Sequence, residues 1–158
     1  MRADMKARML RSFGGGVYEL YGLTEGIATR LRPEEMESKL SSVGTTIFGG
    51  DIRIIDDAGK EVQRGAAGEI VGYSSALMRG YYKKPEETAA AVWRDEAGRT
   101  YLRTGDVGRF DEDGFLYILD RKKDMILSGG VNVFPKDIEE IVARHPKVAG
   151  SGANGEIH

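Results

Sequence analysis

Apolar positions fall at helical spacing in "ADMKARMLRSF", residues 3–13, where Met5, Met9 and Leu10 share a face and the run stops at Gly14-Gly15-Gly16. This predicts a short helix with a glycine terminus. The period then drops to two. "VYELYG" (17–22) alternates as a strand. "DIRIIDDAGKEV" (51–62) carries Ile52 and Ile54 on one face, a turn at Asp57-Ala58-Gly59 and a returning strand, the pattern of a hairpin. "GEIVGYS" (68–74) predicts another strand. Helical chemistry returns in "PEETAAAVWR" (85–94), with Pro85 in the first turn and acidic residues close behind it at the positive end of the dipole. "YLRTGDVGRF" (101–110) reads as two strand segments with Thr104, Gly105 and Asp106 on a tight turn between them. A further hairpin runs from "DVGRF" to "FLYIL" through Asp111-Glu112-Asp113-Gly114. "MILSGGVNV" (125–133) predicts a strand and a glycine turn. "PKDIEEIVARH" (135–145) predicts an amphipathic helix with Ile138, Ile141 and Val142 on one face, Pro135 at its start and His145 in its last turn. The charged stretch Asp120-Arg121-Lys122-Lys123-Asp124 divides a strand-rich part from this shorter βα piece.

Composition narrows the function classes. The 158 residues suffice for one compact domain, which would bury about 70% of its unfolded surface. With 41% hydrophobic and 30% charged residues the chain has ordinary globular composition. A formal net charge of −2 and the lack of a basic run give no field suited to nucleic acid, which is not an expected partner. Cysteine is absent, so disulfides, cysteine-based zinc sites and thiolate nucleophiles are excluded together, and the two histidines cannot form a cluster. No apolar run approaches the roughly 20 residues of a membrane span. The first residues lack the apolar core of a secretory signal, and the reducing cytoplasm is the expected location. The 22 glycines imply many turns.

Three clusters carry candidate chemistry. In "YGLTEG" (21–26), Tyr21 offers a ring, Thr24 a hydroxyl and Glu25 a hard oxygen ligand. Such a trio could stack a base, bond a phosphate and hold Mg²⁺, which takes only one or two protein carboxylates. An ordinary strand ending in a polar turn would look the same. In "RTGD" (103–106), a carboxylate after a Gly turn is placed to accept both hydroxyls of a ribose, although a turn Asp capping its own backbone is the commoner case. In "DRKKDMILSGG" (120–130), Arg121 could bond a ribose or phosphate and the glycines could let an extended ligand approach the backbone. A solvated charge run followed by a turn also accounts for it.

The order of the clusters adds what none carries singly. Tyr-Gly-Leu-Thr-Glu, Gly-Glu-Ile, Gly-Tyr-Tyr, Arg-Thr-Gly-Asp, Asp-Arg-Lys-Lys-Asp-Met-Ile and Gly-Gly-Val-Asn-Val-Phe-Pro follow one another. This series resembles that of the acyl-adenylate-forming, AMP-binding enzymes, in their acyl-CoA synthetase and aryl-CoA ligase branch, over about residues 2–149. The resemblance implies an α+β fold: the β-rich C-terminal part of the large AMP-binding domain over residues 1–120, then over 121–158 the hinge and the first βα piece of a small C-terminal domain. It implies that Tyr21 stacks on adenine, with Gly22 beside it in the same nucleotide-binding motif. It further implies that Thr24 contacts the α-phosphate, that Glu25 helps hold Mg²⁺, that Asp106 binds the ribose hydroxyls and that Arg121 lies near ribose and phosphate. Lys123 matches the hinge about which the small domain swings. Ser128, Gly129 and Gly130 match a segment lining the pantetheine tunnel. ATP, Mg²⁺ and CoA are the cofactors so implied, and a small carboxylic acid is the substrate, activated as an acyl-adenylate and passed to a thiol. A carrier protein's phosphopantetheine arm remains open as an alternative to CoA.

Other family motifs are not found. The Gly-, Ser- and Thr-rich phosphate loop ending in Lys-Gly is not in the sequence, and the family's adenylation lysine would fall beyond His158. Both ends are expected to be cut, with "GSGANGEIH" (150–158) leaving the family pattern as a polar, glycine-rich tail. Two functions are therefore expected. The chain is a fragment of an ATP-dependent carboxylate–CoA ligase, inactive alone and completed by a missing N-terminal part. Alternatively, it is a non-catalytic truncated remnant or interaction module with at most a weak AMP half-site. In either case the strands over 51–119 are expected to leave apolar patches and open edges that favour self-association.

Overall fold

The computed structural model describes residues 3–13, 16–47, 49–128, 131–142, 145 and 148, and has the expected α+β character. Helix α1 (Ala3–Ser12) precedes a three-stranded antiparallel sheet of β1 (Glu19–Leu23), β2 (Ile27–Leu31) and β3 (Thr45–Thr46), in that spatial order. A one-turn helix, α2 (Pro33–Met36), joins β2 to β3, with Pro33 in its first turn and Glu35 Oε2 accepting from the Arg32 amide at 2.9 Å. The apolar face read for α1 is only partly covered, with Met9 and Leu10 half-buried. Met5 is exposed, whereas Lys6 is buried, pairs with Glu19 and donates from Nζ to the Ser42 carbonyl at 2.8 Å. A buried ammonium needs such partners, and β1 and the loop before β3 supply them.

The second sheet is the larger. It comprises β4 (Asp51–Ile55), β5 (Gly68–Tyr73), β6 (Val92–Arg94), β7 (Thr100–Phe110) and β8 (Leu116–Arg121), with α3 (Pro85–Ala90) between β5 and β6. The spatial order is β4-β5-β7-β6, and β8 pairs with the far half of β7, all antiparallel. β5 is buried on both faces. Ile70 joins a core with Ile27, Val43, Ile52, Ile54, Leu102 and Leu116, while Val71 packs with Ile55 and Tyr101. Trp93 meets the Tyr101 ring edge-on at 5.1 Å and donates to the Gly59 carbonyl, so these two aromatics belong to packing.

Three sequence expectations change. The segment after Asp57-Ala58-Gly59 forms only a single bridge, Ile55↔Glu61, and the antiparallel partner of β4 is β5. Residues 68–73 bury two faces, which the Lys-Glu-Val segment at 60–62 does not offer. Helix α3 stops at Ala90 because Val92 and Trp93, branched and aromatic, pair with Leu102 and Tyr101 of β7, tertiary packing overriding helix continuity. The "RTGD" segment is no turn between strands, because β7 runs unbroken through it.

Backbone hydrogen bonds join the segment before β3 to β8 of the larger sheet. The Val43 amide donates to the Leu116 carbonyl and the Leu116 amide to the Gly44 carbonyl, both at 2.9 Å. Gly44 has φ +90°, and a Cβ there would lie 2.0 Å from the Arg30 carbonyl oxygen. Lys39 Nζ donates to Asp111 at 2.7 Å and to Asp113 at 2.5 Å, fastening the β7–β8 turn to the chain after α2. Beyond β8, a single 3-10 turn (Lys122–Asp124) leads to a separate two-stranded sheet, β9 (Ile126–Ser128) with β10 (Val131–Val133), and to α4 (Pro135–Val142). Ile138, Ile141 and Val142 of α4 are exposed. Among the described residues no helix is long and apolar enough to cross a membrane.

Candidate functional site

Strand β7 carries the central carboxylate of the site. Gly105 has φ +73°, a conformation that costs a side chain about 1–2 kcal/mol, and the ladder shifts register at Val107/Gly108 against β8 and at Glu69/Val71 against β5. Bulges of this kind re-aim a side chain without ending the strand. Thr104 Oγ1 donates to the Ile70 carbonyl at 2.9 Å and accepts from the Asp106 amide at 3.0 Å. Arg103 Nη1 pairs with Glu69 Oε2 at 2.6 Å. Each residue of the Arg-Thr-Gly-Asp motif thus helps fix the backbone from which the Asp106 carboxylate projects.

Three sequence-expected residues meet there. Tyr21 Oη donates to Asp106 Oδ2 at 2.8 Å, and Arg121 Nε lies 3.5 Å from Asp106 Oδ1. Asp106 is 9% exposed and stands opposite Arg121 on the same rung of the β7–β8 ladder. Burial, followed by the hydrogen bond and the charge of Asp106, raises the Tyr21 phenol well beyond the usual range, so Tyr21 keeps its proton and donates. The cluster offers an aromatic ring, a carboxylate with charge-assisted bonding capacity and a guanidinium.

The other residues of the first motif form a neighbouring group. Gly22 pairs with Ala28 across the β1–β2 hairpin. At the hairpin turn, Thr24 Oγ1 donates to Glu25 Oε2 and Tyr81 Oη to Glu25 Oε1, each at 3.0 Å. The Glu25 carboxyl is held below its ordinary value of 4.5 by its own backbone amide, then by Tyr81 and Thr24. Tyr81 lies in the Gly-Tyr-Tyr motif, yet its hydroxyl was not foreseen as a partner of Glu25, because the two are far apart in sequence. Two further bonds strap this loop to the turn: the Met78 amide donates to the Glu25 carbonyl at 2.8 Å and Ser74 Oγ to the Gly26 carbonyl at 2.5 Å.

The described residues contain no group of three or more His, Cys, Asp or Glu side chains able to cage a metal. Glu25 alone fits Mg²⁺ shared with phosphate oxygens and water, the habit of that ion, and does not fit an all-protein site. Lys123 is exposed beyond β8, whereas its neighbour Lys122 turns inward. Ser128 ends β9, and Gly129 and Gly130 lie outside the described residues. A cleft of about 830 Å³ between the 77–83 loop, α3 and β7 includes Tyr81 but none of Tyr21, Asp106 and Arg121.

Comparison with known proteins shows the family. The family model described as AMP-binding enzyme matches residues 1–82. A 2-succinylbenzoate–CoA ligase of Geobacillus kaustophilus is 44% identical over 142 residues, covering 88% of this chain and 28% of that protein. A medium/long-chain-fatty-acid–CoA ligase of Mycobacterium tuberculosis is 39% identical over 146 residues, covering 90% of this chain and 25% of its own length. The O-succinylbenzoate coenzyme A synthetase of Bacillus subtilis, solved in complex with AMP, superposes with a TM-score of 0.82 at 35% identity over 96% of this chain and 31% of that one. The same synthetase has been solved with ATP and magnesium ion. The chain therefore spans between a quarter and a third of the length of these relatives. With more than half of its length matched by the family model and its motifs assembled around Asp106, the chain belongs to the AMP-binding enzymes.

Proposed function

We propose that this chain forms one wall of the nucleotide site in an ATP-dependent carboxylate–CoA ligase, and that it needs further polypeptide to catalyse. The observation that carries the reading is the meeting of Tyr21, Asp106 and Arg121, from β1, β7 and the end of β8, at hydrogen-bonding and ion-pair distances. In this reading Asp106 accepts the ribose hydroxyls of ATP or AMP, with bonds worth roughly 1.5–3 kcal/mol each. Tyr21 gives its ring to adenine, Gly22 lies beside it in the same motif, and Arg121 supports the sugar and phosphate. Thr24 meets the α-phosphate, and Glu25, steadied by Tyr81, holds Mg²⁺ together with phosphate oxygens. The ion would neutralise phosphate charge as the acyl carboxylate attacks.

Residues 1–120 then belong to the large domain and residues 121–158 to the hinge and the start of the small one, with Lys123 as the pivot. Rotation about it would bring Ser128, Gly129 and Gly130 to a CoA pantetheine, so that thiol attack follows adenylation. The acid is small and the setting is the cytoplasm, where ATP and CoA are held. Relatives that act on 2-succinylbenzoate and on medium or long fatty acids leave the aryl and alkyl classes equally supported.

Calorimetric titration of the purified chain with AMP tests the reading. Saturable binding that weakens at least tenfold in Asp106→Ala is expected, the loss of about one charge-assisted bond. A folded chain that takes up no AMP would refute the half-site and favour the interaction-module function.

A further inference from the structure

Within the Arg121-Lys122-Lys123 run, Arg121 reaches Asp106 of β7 and Lys122 reaches back to the central strand β5. Lys122 Nζ lies 3.0 Å from Asp57 Oδ1 and 3.0 Å from Glu69 Oε2. The two acids differ in kind. Asp57, in the loop after β4, is 86% exposed at its side chain, so solvent and salt screen its pairing. Glu69, on the central strand β5, is 6% exposed and is shared with Arg103 Nη1 at 2.6 Å. Lys122, Met125, Val107 and Gly68 close a small cavity of about 170 Å³ around this contact. Burial alone would push the Lys122 ammonium down, but its hydrogen bonds to Asp57 and Glu69 raise it, so the charge is kept. Lys123, one residue later, is exposed and contributes no such tie.

We propose that Lys122 is a positioning residue that anchors the large-sheet side of the hinge: its ammonium, held between β5 and the loop after β4, stops backbone rotation at residue 122 and confines the swing to Lys123 and beyond. The proposal rests on the reading of Lys123 as pivot. The anchor also explains why a pivot here need not disturb the nucleotide wall. Arg121, on the rung of Asp106, precedes the anchored residue and is shielded by it from motion further on.

Peptide-resolved hydrogen exchange on the 158-residue chain reads the anchor directly. Lys122→Met keeps the aliphatic stem and removes the charge. It should speed exchange across residues 122–126 by about tenfold, with strands β5 and β7 unchanged, as expected when one local tie is cut. Lys122→Arg should restore exchange to within about threefold of the native rate, and Asp57→Asn should change it by less than about twofold, since that partner is solvent-screened. Unaltered exchange at 122–126 in Lys122→Met would overturn the anchor. So would faster exchange spread evenly over β5 and β7, which would make Lys122 a general stabiliser. The pivot reading is tested separately by ¹⁵N relaxation of the native chain. Residues 126–142 should reorient independently of 51–119, and a single shared tumbling time would overturn the pivot whatever the exchange result at Lys122.

Discussion

Arg103, Thr104, Gly105 and Asp106 each do a different job, and the jobs depend on partners distant in sequence. Arg103 pairs with Glu69, Thr104 bridges the Ile70 carbonyl and the Asp106 amide, and Gly105 supplies a positive φ. Gly105→Ala tests the backbone alone, because a Cβ there meets nothing within 4 Å. It should cost about 1–2 kcal/mol in denaturant unfolding. Gly44→Ala adds a collision with the Arg30 carbonyl to the same kind of strain and should cost about 3 kcal/mol or more. Tyr101 gives a second residue-scale expectation. Burial, then the hydrogen bond to Asp51, pushes its phenol from 10.0 up to about 12. The folded state favours the neutral ring, so this contribution to stability is complete below pH 10 and is lost as pH rises towards 12. Stability curves of the native chain should fall over that interval, and fall less steeply in Tyr101→Phe, with the raised Tyr21 phenol still contributing. Letters such as Tyr21, Asp106 and Arg121 were legible in the sequence because a motif names them. Tyr81 and Lys122 were not, since their meaning lies in Glu25 and Glu69, more than fifty residues away.

At the scale of elements, strands were easier to read than their pairing. The sequence pattern shows β1, β4, β5 and β8, whereas β2 escapes it because a polar residue, Thr29, stands at an inward position. Thr29 is nonetheless fully buried, its hydroxyl donating to the Val43 carbonyl at 2.6 Å. Glycine was the source of one misreading. A Gly before an Asp predicts a turn, and the same positive φ also serves a bulge inside a continuous strand. Nothing local to residues 101–110 distinguishes the two. The choice is made by β5 and β8, which pair on either side of the bulge and keep β7 extended. Helix α3 was overextended for a related reason, since Ala-rich sequence permits a helix through Val92 and only the waiting edge of β7 makes it a strand.

The whole molecule leaves several large apolar side chains open around its first strand. Phe13, Tyr18 and Leu20 are each more than half exposed, and β1, which holds Leu20, is an edge of its sheet among the described strands. An uncovered edge with apolar side chains invites pairing with another chain. Static light scattering should therefore show a weight-average mass that climbs with concentration, and Leu20→Lys should reduce the climb by placing a charge on the edge. A strictly monomeric native chain would refute this edge as an association surface.

Strand β7 has one more consequence. Its eleven residues hold the register of β5, β6 and β8 and at the same time aim the carboxylate of Asp106. Architecture and the aim of that carboxylate are written on the same line, so a substitution at an inward position of β7 disturbs the sheet and the direction of Asp106 together.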